Sequence, residues 1–221
     1  MKKAIFIDFY GTVVHEDGEI VKKVSGDIFN KGTASNESEI GIYWWNEFQN
    51  AFQNAYGDRF RTQRELEYQS LSNTIKHFQS TANADQLSRM MFEHWMQPPI
   101  FEESKEFFEC SPLPIYIVSN IDRNDILEAI KFHDLKPDGV FTSEDAKAYK
   151  PRKELFKYAM KETDFLPEQI VHIGDSLSSD VNGAGNVGIQ AIWINRGHKD
   201  VPEGVCAVNN LLEVFDLRLL R

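Results

Sequence analysis

The chain has 221 residues and a mass of 25.5 kDa, enough for one large domain or one domain with an insertion. That length buries a core without help from disulfides or zinc. Its 34 acidic against 24 basic residues give a formal net charge of −10, which repels phosphate backbones and argues against nucleic acid as a partner. Two cysteines, Cys110 and Cys206, lie far apart with no CxxC spacing, so neither a disulfide framework nor a zinc cluster organises the fold. Both read as small hydrophobes in a reducing compartment. Apolar runs are only one strand long, so no membrane span is expected. The run after Met1-Lys2-Lys3 is cut at Asp8, too short for a signal peptide, and a cytoplasmic location follows.

In chain order, Ala4 to Ile7 is a solid apolar run closed by Asp8-Phe9-Tyr10-Gly11-Thr12. Such a run, ended by a glycine turn, predicts a buried parallel strand. Residues 15–98 hold no strand-like run. There Ile40, Trp44, Phe48, Ala51, Phe52 and Ala55 recur at helical spacing, and Arg64–Phe78 and Asp85–Trp95 predict further helices before Pro98-Pro99 breaks the pattern. Strand-like runs return at Ile115–Val118, Gly139–Thr142, Ile170–Ile173 and Gln190–Ile194. Between them, helices are predicted at Asp122–Phe132, Arg152–Lys161 and Ser179–Val187. This alternation predicts an α/β fold with a doubly wound parallel sheet. Residues 1–14 and 99–221 would form a Rossmann-like core, and 15–98 an inserted helical cap.

Ligands of open α/β sheets bind at the carboxyl ends of the strands. Asp8, Ser119 and Asp175 each stand at such an end, and Lys150 stands in a loop just before a helix. Singly, each has a bland reading as a cap or turn residue. Together, in order, they predict a site.

Asp8-Phe9-Tyr10-Gly11-Thr12-Val13, Val118-Ser119-Asn120, Lys150-Pro151 and Gly174-Asp175-Ser176-Leu177-Ser178-Ser179-Asp180 resemble the four motifs of the haloacid dehalogenase superfamily of hydrolases. The insert after the first motif resembles that family's helical cap. Trp193-Ile194-Asn195-Arg196 resembles a segment common in one branch of it. The resemblance implies Asp8 as nucleophile, forming a covalent intermediate. It implies Ser119 as hydrogen-bond donor to the transferring group and Lys150 as the cation holding both that group and the nucleophile. It implies Mg²⁺ held by Asp8, the backbone carbonyl at Tyr10 and Asp175, with Asp180 helping. Tyr10, Gly11, Thr12 and Asn120 would line the substrate position. The three acids with Lys150 sum to −2, a charge that calls for a divalent cation before an anionic small-molecule substrate can enter. A phosphatase of small phosphorylated metabolites is the expected activity.

One position departs from the phosphatase pattern, where a second Asp follows the nucleophile by two residues. Here it is Tyr10, which resembles the dehalogenase branch, in which halide leaves without a proton. That branch works without metal and tends to lack the acid that this chain keeps at Asp175. A 2-haloacid dehalogenase is therefore the alternative. Among other residues, His172 reads as a core histidine, His15 as a hinge residue that could also reach the site, and Glu102-Glu103 as a solvated helix start. Trp45 falls off the main cap stripe and is open to a substrate-facing role. Arg59, Arg61 and Arg64 read either as a solvated turn or as an anion clamp. The oligomeric state has no signature.

Overall fold

The computed structural model describes residues 1–217. Six strands form one all-parallel sheet: β1 (Ala4–Ile7), β2 (Ile115–Ser119), β3 (Gly139–Thr142), β4 (Ile170–Gly174), β5 (Gln190–Ile194) and β6 (Cys206–Val208), in the order β3-β2-β1-β4-β5-β6. β1 is central because it is wholly apolar and wholly buried, as both faces of a parallel sheet require. The chain winds from β1 outward to β2 and β3, then returns to the other flank at β4. The strand order thus reverses at β1, and a crevice opens at its carboxyl end. Ile7 pairs with Ile117 of β2 and with Ile173 of β4, so the carboxyl ends of all three parallel strands lie at the same edge of the sheet.

Contacts divide the chain into two units. One comprises residues 1–16, 99–123 and 133–217, with the sheet and the helices around it. Its helices include α5 (Ser104–Cys110), α7 (Ser143–Ala146), α8 (Lys153–Thr163) and a short α9 (Gly183–Gly185). Phe6, Val118, Leu155, Phe156, Ala159 and Ile170 form a continuous buried cluster between α8 and the sheet. Cys110 is exposed at the end of α5 rather than packed, because that helix buries only Ser104 and Phe107.

The other unit comprises 17–98 and the stretch 124–132 of α6 (Arg123–His133). It holds α1 (Gly18–Asn30), α2 (Glu37–Asn54), α3 (Gln63–His77) and α4 (Ala84–Met96), which pack in sequence order, α4 also against α1. Three of these helices start on caps written in the sequence. Asn36 and Asn83 accept from the backbone of Glu39 and Gln86, and Thr62 with Glu65 forms a reciprocal capping box. Ile40, Trp44, Leu66, Leu71, Met91 and Trp95 are buried, whereas Trp45 is 60% exposed. No helix among the described residues is long and apolar enough to cross a membrane.

Candidate active site

The loop after β1 is built around Phe9. Its buried ring anchors the loop, and its carbonyl accepts from the backbone N–H groups of Thr12, Val13 and Val14. Gly11 sits at φ +87°, and a β-carbon there would lie 2.5 Å from an Asp175 oxygen. Only glycine supplies both the backbone angle and the clearance. Asp8 donates its backbone N–H to the Ile173 carbonyl of β4 at 2.9 Å, which brings it beside the chain leading to Asp175.

Four charged side chains converge here. Lys150 Nζ lies 2.7 Å from Asp8 Oδ1 and 2.6 Å from Asp180 Oδ1, and the lysine is only 2% exposed. Asp8, Asp175 and Asp180 each offer an oxygen within 4.8 Å of the others. Thr12 Oγ1 donates to Asp175 Oδ1 at 3.2 Å. Asp180 is fully held. Its Oδ1 takes Lys150 and His172 Nε2, and its Oδ2 accepts from the Ser176 backbone at 3.0 Å. Gly174 permits this, since a β-carbon there would overlap the Asp180 carboxyl. The turn carrying Asp180, Leu177–Asn182, is a π-helical turn capped by Ser176, whose hydroxyl accepts from Ser179 N. Wide turns of this kind recur at functional sites.

The charges are unequal in cost. Burial pushes the Asp8 carboxyl up to about 7, against the pull of Lys150 and with a further push from Asp180. Burial, then the charges of Asp8, Asp180 and Glu16, push Asp175 up to about 8. Burial also opposes ionisation of Asp180, but Lys150 and the His172 hydrogen bond outweigh it and hold the carboxyl well below the usual range. Lys150 is desolvated too, yet Asp180 and Asp8 raise it above an ordinary lysine. Two of three acids therefore resist ionisation until another positive charge arrives.

The remaining motif residues support this group. Ser119 is buried at the end of β2, its hydroxyl 3.5 Å from the Ile121 backbone N–H. Asn120 spends its amide on the backbone of Lys150, accepting from its N–H at 2.6 Å and donating to its carbonyl at 3.2 Å. The Lys150-Pro151 peptide is cis. The Tyr10 ring meets Phe9 edge-on at 5.3 Å.

Sequence reasoning missed three contributors. His172 is buried, as a core histidine should be, but it also bonds Asp180, and burial keeps its imidazole neutral. Trp193 Nε1 donates to the Asp175 carbonyl at 2.7 Å, and Arg196 donates to the Thr12 carbonyl at 2.8 Å. Glu103, expected as a solvated acid, is 16% exposed because Arg196 pairs with it at 2.7 Å. His15 lies against the Phe101 ring. In the helical unit, the possible anion clamp is spoken for at Arg64, which lies in α3 and pairs with Asp125. Arg61 bonds Gln69 and the Glu65 carbonyl.

Residues 2–188 match the sequence profile of the haloacid dehalogenase-like hydrolases. The chain belongs to that family. It is similar to the pyrimidine 5′-nucleotidase YjjG of Escherichia coli, 30% identical over 80 residues, which is 35% of each protein. The curated relatives are matched over only 18–40% of their own length. Two solved structures share the fold over 97% of this chain. The putative HAD-hydrolase YfnB of Bacillus subtilis, bound to magnesium, has a TM-score of 0.77 at 19% identity and is covered over 97% of its length. L-2-haloacid dehalogenase from Xanthobacter autotrophicus has a TM-score of 0.75 at 16% identity, again with 97% covered. The chain is thus a hydrolase of a family whose members include nucleotidases and dehalogenases.

Proposed function

We propose that this hydrolase cleaves a small phosphate monoester, with Asp8 as nucleophile and Mg²⁺ as cofactor. The observation that carries the reading is the retained Asp175. Its carboxyl stands beside Asp8 and Asp180, and Lys150 alone would leave the fully ionised group at −2. The donor set fits Mg²⁺: hard oxygens, two of them on acids that burial keeps from ionising unaided. Asp8, Asp175 and the Tyr10 carbonyl would hold the ion. Asp180, whose oxygens already have partners, serves through Lys150. When bound, the ion supplies positive charge against the phosphoryl oxygens.

The chain's own groups do the rest. Lys150 holds Asp8 Oδ1 with its charge and keeps the nucleophile oriented. An Asp8 oxygen attacks phosphorus, and the bond to the leaving alcohol breaks. The alcohol takes a proton from solvent, because Tyr10 stands where an acid would be and a phenol is a far weaker acid than a carboxyl. Water then attacks phosphorus, phosphate leaves, and Asp8 is restored. Ser119 donates to the group in transit, and the Gly11 and Thr12 backbone lies against it. The nucleotidase among the relatives supports this chemistry.

Tyr10 itself favours a second reading, hydrolysis of a 2-haloacid, where no proton is needed by the leaving group. A panel of small phosphates and 2-haloacids, each with Mg²⁺ and with EDTA, separates them. Phosphate release abolished by EDTA is expected; halide release indifferent to EDTA would establish the second reading instead.

A further inference from the structure

Trp193-Ile194-Asn195-Arg196 lies outside the catalytic group, yet two of its side chains hold the backbone of the two acidic loops. Trp193 pairs with Gly174 across β5 and β4, so its indole stands next to Asp175 and donates to that residue's carbonyl at 2.7 Å. Three residues on, the Arg196 guanidinium donates to the Thr12 carbonyl at 2.8 Å. Thr12 closes the circuit by donating its hydroxyl to Asp175 Oδ1 at 3.2 Å.

The segment is itself fixed. Trp193 and Ile194 are buried in the sheet. Asn195 donates its backbone N–H to the Val208 carbonyl at 2.7 Å. Its side chain accepts from Lys199 N at 3.0 Å and donates to Lys199 O at 2.8 Å, closing the turn that presents Arg196. The guanidinium lies 3.6 Å over the Phe101 ring and pairs with Glu103 Oε1. Stacking and a bidentate reach are what arginine offers and lysine does not.

We propose that Trp193 and Arg196 are positioning residues: one rigid brace that sets the spacing of the Asp8 loop from Asp175, and with it the affinity of the carboxylates for their cation. The proposal rests on the metal-dependent reading above. Partners that orient the groups around a metal typically carry roughly 10- to 100-fold of its affinity.

The test compares Trp193→Phe, which keeps an aromatic ring, though a smaller one, and loses the N–H, Arg196→Gln, and Glu103→Gln. The last removes the ion pair while leaving the Thr12 contact. Mg²⁺ is titrated calorimetrically into each metal-free protein, and amide hydrogen exchange is followed over residues 8–14 and 174–180. The expected result is a Mg²⁺ dissociation constant raised roughly tenfold in Trp193→Phe and in Arg196→Gln, and changed less than about twofold in Glu103→Gln. Exchange should quicken at 174–180 in the first and at 11–14 in the second, with Tm near that of the wild type. Unchanged affinity with unchanged local exchange would overturn the brace. So would a uniform rise in exchange with a lowered Tm, the sign of packing alone. If the wild type takes up no Mg²⁺, the metal-dependent reading falls, and the brace stands or falls on local exchange alone.

Discussion

Replacing Lys150 by Met tests the electrostatics of the site without changing its bulk much. The stem is kept and the ammonium is lost, leaving Asp8 and Asp180 facing each other with no cation between them. Removing one partner from a buried ion pair costs about 3–5 kcal/mol, because the orphaned charge stays desolvated. For a chain of this size that is a fall of roughly 6–20 °C in Tm. The pH dependence follows from the direction of each shift. The depressed Asp180 stabilises the fold above the ordinary carboxylate range, and that gain is lost as pH falls. The raised Lys150 stabilises it below the ordinary lysine value, and that gain is lost as pH climbs past it. The pair therefore works fully between about pH 4 and 10. In the variant the orphaned carboxylates take up protons as the medium is acidified, so the deficit should be largest at pH 8 and shrink toward pH 5. Calorimetric melts of both proteins in EDTA across that range measure it. Equal Tm values at pH 8 would refute the reasoning, and so would a deficit that does not vary with pH.

Other expectations rest on neighbouring contacts. Gly11→Ala should cost about 1–3 kcal/mol and most of the activity, since the added carbon meets Asp175 at a left-handed backbone position; an unchanged melt would contradict that. In the metal-free protein, Asp8 and Asp175 bind protons more tightly folded than unfolded, so their contribution makes stability fall as pH rises from about 4 to 8, by at most about 1.4 kcal/mol per unit and group. Saturating Mg²⁺ should flatten that slope, and an identical slope with and without Mg²⁺ would count against a cation at these acids. Tyr10→Asp should raise phosphate release by roughly 10²-fold if the missing acid is the only defect. No gain would mean that Tyr10 is fitted to another reaction.

Much of the sheet was legible because buried parallel strands are unbroken apolar runs; β1, β2, β4 and β5 all announce themselves this way. The edge strand β6 did not, being three residues long and only partly buried. Helix α1 carries Ser25 and Gly26 at its middle and shows no clean stripe, whereas α2 shows one from Ile40 to Phe52. Asp8 and Asp175 were visible as polar residues stopping strands and Lys150 as one flanking a proline, whereas Asp180 was reached only through the resemblance of its motif. His172 was not, because a histidine inside an apolar run looks the same whether its ring meets core or Asp180. The contacts that Asn120, Trp193 and Arg196 make stayed hidden for another reason. Their partners are main-chain groups, and a main-chain carbonyl leaves no mark in a sequence.

The central claim is that Asp8 attacks phosphorus and that water then attacks phosphorus in turn. A turnover in H₂¹⁸O, followed by mass spectrometry of both the released phosphate and the peptide containing Asp8, reads which atom the water attacks. The account predicts one labelled oxygen in phosphate and none in the Asp8 carboxyl. Label in the Asp8 carboxyl would mean that water attacks an ester carbonyl, the outcome of attack on carbon, and would contradict it.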